Sequence, residues 1–355
     1  MKITKYIILI LCGLFSLPAK GQIDSAYVPF AIVDSTTVTP SLFDSDDLLE
    51  ITLKFDISYY RKKKPDQEYL DAVLTYYPGD KDSVSKNIKV RARGEMRRSY
   101  CDFPPLLLNF TMKNSPGGEF AGIDKLKIVT HCRLGMEDYI LKEYLAYRLY
   151  NVLTENSFRV RLIRINYINT ARESKPIRQY GFAIEPVQLL EKRTGTVTVD
   201  IANPSRKYIN RQNMDRCSIF NYMIGNTDWS VSNLHNIIIM TAKEPGTETL
   251  GIVVPFDFDY SGFVYASYAV PHESVPVKSV RERYYMGFCR TEQEYLSALG
   301  EFSDRKEEFF SIINDFPYLD AKAKKQSLSY LDEFFKGFDK RNTILYEILT
   351  QCKSQ

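Results

Sequence analysis

Hydrophobic and polar positions change period along this chain, and the changes mark out its elements. Ile51, Leu53, Phe55 and Ile57 alternate with polar residues, the two-residue period of a half-buried strand. Similar runs cover 70–77, 87–93, 106–111 and 125–130, punctuated by Pro78-Gly79 and Pro116-Gly117-Gly118. The basic run from Arg61 to Lys64, just before Pro65, reads as an exposed turn. Together these runs predict an antiparallel sheet. At 137–154 the pattern turns helical, with Leu141, Leu145, Leu149 and Val152 on one face and Glu137 and Asp138 suiting the N-terminal end. Strands are predicted next at 158–167 and 179–184.

From Glu185 onward the pattern is helical, and a helix over 208–224 gathers Cys217, Phe220 and Ile224 on one side. A strand at 236–240, a turn at Pro245-Gly246 and a strand at 250–256 predict a hairpin that delivers Asp257-Phe258-Asp259. The stretch from Ser303 is amphipathic helix with a break near Pro317. No internal repeat or low-complexity tract interrupts this order.

The 355 residues suffice for roughly two domains or lobes. With 44% hydrophobic and 26% charged residues the composition is that of a globular protein. Residues 1–21 stand apart. Lys2 and Lys5 precede an apolar run at 6–17, and Pro18-Ala19-Lys20-Gly21 supplies small residues before Gln22. That is the order of a secretory signal peptide cleaved near Gln22, and export to the periplasm or medium is expected. Cys12 lacks the small residues that a lipoprotein site has before its cysteine. Residues 22–48, rich in Ser, Thr and Asp, read as an extended lead-in, and no transmembrane segment is expected in the mature chain.

The formal charge of +3 includes Lys2, Lys5 and Lys20, so the mature chain is neutral, with 44 basic and 44 acidic residues. Neutrality offers no argument for nucleic acid as a partner. Five cysteines remain after the leader, Cys101, Cys132, Cys217, Cys289 and Cys352, an odd number that leaves at least one unpaired within the chain. Cys101 with Cys132 is a candidate structural disulfide in an oxidising compartment. No CxxC occurs, and His131, His235 and His272 lack zinc-site spacing.

A polar loop, Gly225-Asn226-Thr227-Asp228-Trp229-Ser230, lies between an apolar helix end and the β-branched run Ile237 to Ile239. Burying Asp228, Asn233 and Asn236 without partners costs several kcal/mol each, about 2–7 by transfer measurements. Either a ligand compensates them or the loop is an Asx-rich turn that satisfies itself. The residues downstream of the loop favour a ligand. Helix, Asp-bearing loop, Asn, strand, turn, strand and Asp-Phe-Asp is an order that serves phosphoryl transfer. One acid orients or deprotonates the attacking hydroxyl, an amide holds a metal ion, and a second acid after the hairpin holds the metal bridging the phosphates.

The chain resembles the CotH-type atypical protein kinases, a divergent branch of the kinase-like superfamily, and most closely an exported bacterial subgroup. The resemblance is carried by RARGEMRRSYCDFPPLLLNF at 91–110, KLKIVTHC at 125–132, LKEYLAYRLYNVLT at 141–154, GFAIEP at 181–186, GNTDWS and HNI within 225–237, and VPFDFDYSG at 254–262. It implies Asp228 in the catalytic loop and Asp257 as metal-binding acid, with Asp259 adding a second ligand in place of a glycine. Asn236, which directly precedes its strand, and Asn233, at the kinase spacing of five from Asp228, are alternative metal-binding amides. Lys127, with Lys125 next, is the candidate phosphate lysine, and its helix partner is Glu137 or Glu143. Glu185 ends the strand that joins the lobes. No Gly-rich phosphate loop is present, and Arg91 and Arg93 are candidates for that role, since a guanidinium donates two parallel bonds to a phosphate.

The plainer readings are a solvated face or salt bridge for Arg91 and Arg93, an exposed strand position for Lys127, a positioning role for His235 and a packing role for Trp229. The expected architecture is α+β, a two-lobed protein-kinase-like fold. Residues 22–185 form a sheet-rich N-terminal lobe with one helix, and 186–355 form a helical C-terminal lobe carrying the catalytic loop. The expected activity is transfer of a phosphoryl group from ATP or another nucleotide, with Mg2+ or Mn2+, to a hydroxyl acceptor such as Ser or Thr of a protein. An inactive kinase-like binding or assembly module is the alternative, and a metal-dependent hydrolase built on Asp228 and Asp257 ranks third.

Overall fold

Alternation in the first half builds seven strands, β1 (Leu49–Phe55), β2 (Leu70–Tyr76), β3 (Val84–Ala92), β4 (Leu106–Asn109), β5 (Lys125–Val129), β6 (Val160–Asn169) and β7 (Ile177–Ile184). This computed structural model describes residues 42–77, 83–110, 118–201, 204–244, 250–339 and 343–353. The leader, the lead-in up to residue 41 and the turns at Pro78-Gly79, Pro116-Gly117 and Pro245-Gly246 lie outside them. The strands pair in the order β1-β2-β3-β4-β5-β7-β6, and β6 returns parallel to β1, from Leu49 beside Ile163 to Phe55 beside Asn169, which closes a barrel. Leu53, Leu74, Val90, Leu108, Leu126, Ile165 and Ala183 fill its interior.

Two local expectations shift. Asp56 caps the helix α1 (Ile57–Lys63) by accepting from the Tyr59 amide, so Ile57 leaves the strand. The basic run ends this helix, with Lys64 in a left-handed conformation (φ 46°), instead of forming a simple turn. Cations in a last helical turn face the negative end of the helix dipole. A short helix, α2 (Met96–Tyr100), comes after β3.

The helix α3 (Glu137–Leu153) is buried on every side. One side covers the outer faces of β6 and β7 at Val160, Leu162, Phe182 and Ile184. The other packs on α5 (Arg211–Ile224) and α7 (Lys306–Asn314) in one continuous core. The rest of the second half comprises α4 (Val187–Thr194), the strands β8 (Thr196–Val199), β9 (Ile237–Ala242) and β10 (Ile252–Pro255), and the helices α6 (Glu292–Asp304), α8 (Ala321–Asp339) and α9 (Thr343–Gln351). Asn210 accepts from the Asn213 amide and so starts α5 later than its apolar pattern suggests. Among the described residues no helix is long and apolar enough to cross a membrane.

The expected two-lobed protein-kinase-like fold is therefore corrected. The sheet of the first half is a closed seven-stranded barrel instead of an open lobe. The second half is not a helical lobe, because the β-branched run Thr196–Val199 adds a third strand to the hairpin, in the order β10-β9-β8. Strand periodicity is the same whether a sheet closes or stays open, so the alternation could not distinguish the two.

Candidate functional site

The polar loop after α5 begins where Gly225 ends the helix at φ 65°. A Cβ there would lie 2.1 Å from the Tyr330 hydroxyl oxygen, so both conformation and space demand glycine. Asn226 donates to the Asn221 side chain at 2.9 Å and accepts from the Asp228 amide at 3.0 Å. Asp228 is held at both carboxylate oxygens, by His235 Nε2 at 2.8 Å and by Asn236 Nδ2 at 2.9 Å. Trp229 is buried among Met214, Cys217 and Ile237, a packing anchor. The buried amides of the loop satisfy one another, so they do not themselves require a ligand.

The hairpin joins this loop to the acids. Pairing runs from Ile237 opposite Pro255 to Met240 opposite Ile252, and Phe256 N donates to the Asn236 carbonyl at 3.0 Å. Asp257 comes directly after, at φ 62°, and its amide donates to the Tyr147 hydroxyl of α3 at 2.8 Å. A non-glycine residue at positive φ is uncommon and strained, and at a functional site such strain aims a side chain. Phe258 is buried against Tyr147 and Phe220, which leaves the acids on either side of it near Glu143 of α3. One carboxylate oxygen from each of Glu143, Asp257 and Asp259 lies within 4.8 Å of the other two.

Arg97 of α2 reaches into this cluster. Its Nε donates to Asp259 Oδ2 at 2.9 Å, one NH2 bonds Glu143 Oε2, and Asp257 Oδ1 lies 3.9 Å away. Asp259 also accepts from the Tyr268 hydroxyl at 2.9 Å. Burial works against the Arg97 charge, but Asp259 and Glu143 outweigh it and hold the guanidinium protonated. Burial pushes the Glu143 carboxyl up to about 8 against the pull of Arg97. The same cause pushes Asp259 up to about 6. Glu143 is fully buried, and its Oε1 has no hydrogen-bond partner among the described residues.

Two further cations lie within the field of Asp257. Burial lowers the Arg93 pKa while Asp257 raises it. Lys127 is exposed as a residue, yet protein packed about its ammonium, and then Arg93, lower its pKa, with Asp257 pulling the other way. Tyr260 lies within the field of both acidic regions, its hydroxyl raised by burial and then by Asp259 and Asp228.

Of the residues singled out in the sequence, the structure thus brings together Glu143, Asp257 and Asp259, with Lys127 and Arg93 within the field of Asp257 but not paired to it, and Asp228 and Asn236 at the adjoining hairpin end. Others are engaged elsewhere. Arg91 donates to the Asp66 carbonyl and stacks 5.3 Å from the Tyr69 ring centroid. Both oxygens of Glu185 accept from Arg193, at 3.1 and 2.8 Å, and Oε2 also from the Arg159 amide. Asn233 is exposed in the turn before β9, while Asn236 bonds Asp228 directly. Glu137 caps the Tyr180 amide at 2.8 Å, which leaves Glu143 as the acid of α3 at the cluster.

Arg97 stands out in the sequence only as half of the Arg97-Arg98 pair that follows Arg91 and Arg93, with no role of its own, and Tyr147 and Tyr268 carry no signal as site residues. On a five-residue helix one of the adjacent arginines faces inward and the other outward, and Arg98 pairs with Asp66 at 2.9 Å. A disulfide between Cys101 and Cys132 ties the end of α2 to the segment after β5, fixing Arg97 relative to Lys127, and a second joins Cys289 to Cys352. No protein-family model matches the chain, and a search of curated proteins finds no match either.

Proposed function

We propose that this protein is an exported phosphotransferase. It moves a phosphoryl group from ATP or another nucleotide to a hydroxyl acceptor, such as Ser or Thr of a protein, with Mg2+ or Mn2+ at the Glu143, Asp257 and Asp259 cluster. The observation that carries this reading is the unpartnered Oε1 of the fully buried Glu143, beside two more carboxylates. A buried acceptor without a partner costs about 1–3 kcal/mol, which a bound cation removes. Three carboxylates form the hard oxygen set that suits Mg2+ or Mn2+. When bound, such an ion withdraws charge from phosphate oxygens.

The chain's own residues supply the rest. Arg93 and Lys127, both in the field of Asp257, neutralise phosphate oxygens. Asp228, oriented by His235 and Asn236, takes the proton of the acceptor hydroxyl. The hydroxyl oxygen bonds to the transferred phosphorus as the bond from that phosphorus to the leaving diphosphate oxygen breaks. The resemblance to CotH-type kinases supports the same chemistry, which does not require a two-lobed architecture. The two disulfides support an oxidising location.

A second reading, an inactive binding or assembly module, draws on Arg97, which already pairs with two of the three acids. Thermal stability with nucleotide and Mg2+ or Mn2+ separates the two. A ligand at 100 times its dissociation constant adds about 2.7 kcal/mol. The expected result is stabilisation that needs both metal and nucleotide and is absent in Asp257→Ala. No stabilisation by any nucleotide, with or without metal, overturns the phosphotransferase reading in favour of the module.

A further inference from the structure

A second site, apart from the acidic cluster, opens beside α1. A cavity of about 580 Å³ is bounded by α1, by the loop joining β6 to β7 and by Asp102. Among the described residues five cations line it, Arg61, Lys62 and Lys64 from α1 and its cap, and Arg172 and Lys175 from the loop, against one acid, Asp102. We infer that this cavity binds a small organic phosphate or sulfate ester carrying at least two negative charges.

Three observations lead there. First, Lys64 donates to the Ser99 carbonyl at 3.2 Å, but Arg61, Lys62, Arg172 and Lys175 make no ion pair among the described residues. Asp102, the one acid, already lies 4.0 Å from Arg133. Second, the helix dipole accounts for cations at the end of α1 but not for Arg172 and Lys175, which arrive on a different loop more than 100 residues later. In a chain whose formal net charge is only +3, this convergence on one cavity is a local field suited to an anion.

Third, the cavity has the lining of a ligand site. Its volume lies within the range of about 300–1,000 Å³ typical of small-molecule sites, larger than a bare phosphate or sulfate ion needs. Ile57, Ile177 and Tyr167 provide an apolar wall, and Ser58, Asn169 and Ser174 add hydrogen-bonding groups. Tyr167 is buried, and its hydroxyl has no partner among the described residues. Guanidinium groups from two segments match the paired oxygens of a tetrahedral ester, and the apolar wall suits its organic part.

Titration calorimetry with inorganic pyrophosphate and with a fully sulfated disaccharide tests this, in chelator so that no divalent metal contributes. The expected result is one site per chain for at least one probe, weakening as salt rises. Affinity should fall at least about tenfold in Arg61→Glu/Arg172→Glu and again in Lys62→Glu/Lys175→Glu, all at exposed positions, and persist in Asp257→Ala. The probe that binds tells a phosphate ester from a sulfate ester. Absence of binding by both probes overturns the inference. So does unchanged affinity in both double variants, or binding that is lost in Lys127→Ala and kept in the double variants.

Discussion

Arg97 and Asp259, 162 residues apart in sequence, meet in a buried hydrogen bond of 2.9 Å, Nε to Oδ2. The same guanidinium bonds Glu143, so one cation from the rim of the barrel holds an acid of α3 and an acid of the hairpin loop. The acidic cluster therefore depends on a residue from a five-residue helix that is itself anchored by a disulfide.

Removing that cation leaves two buried carboxylates uncompensated. Arg97→Met is expected to lose about 3–5 kcal/mol of stability in urea denaturation. Adding Glu143→Gln and Asp259→Asn should restore part of the loss, because the uncompensated charges are then gone. An Arg97→Met variant as stable as wild type would show that the network contributes nothing.

Asp228→Asn separates binding from turnover. The amide keeps the shape that His235 and Asn236 hold but cannot take a proton. Turnover is expected to fall by about 10²–10⁴-fold, the usual contribution of a general base. Metal-dependent stabilisation by nucleotide should remain. Equal loss of both would assign Asp228 to binding instead.

His131 makes stability depend on pH with a definite sign. Burial, and then Arg61, lower its pKa to about 4. Its unfolded value is about 6.5, so between pH 4 and 6.5 the unfolded chain binds more protons and stability falls as pH falls. The contribution is at most about 3 kcal/mol. In the metal-free protein Glu143 and Asp259 act oppositely, since their raised values lose stability as pH rises toward about 8 and about 6. Comparing His131→Phe, which retains a ring beside Phe103 and Tyr167, with wild type at pH 4.5 and 7 isolates the histidine. The variant should lose less stability on acidification.

The two disulfides predict a thiol count. Denatured, unreduced protein lacking residues 1–21 should present one thiol, Cys217, which is buried in the fold. Five thiols would exclude both bridges. By the loop-entropy relation, with separations of 31 and 63 residues, removing either pair by alanine costs about 4 kcal/mol.

Much of this protein was written locally. The alternation of Leu49–Phe55 and Leu70–Tyr76, the spacing of Leu141, Leu145 and Leu149, and the paired strands that deliver Asp257 reflect side-chain period and turn chemistry, which act over a few residues. For the same reason Asp228 and Asp257 stood out, each next to a predicted strand or helix end. Other features exist only through contacts between distant segments. Closure rests on Leu49 meeting Ile163, the choice of Glu143 over Glu137 on which acid of α3 faces Arg97, and the engagement of Arg91 and Glu185 elsewhere on Asp66, Tyr69 and Arg193. Period shows that a residue faces inward or outward; what it meets there depends on packing between elements, and for the acidic cluster that packing brings α2, α3 and the loop after the hairpin together around Arg97.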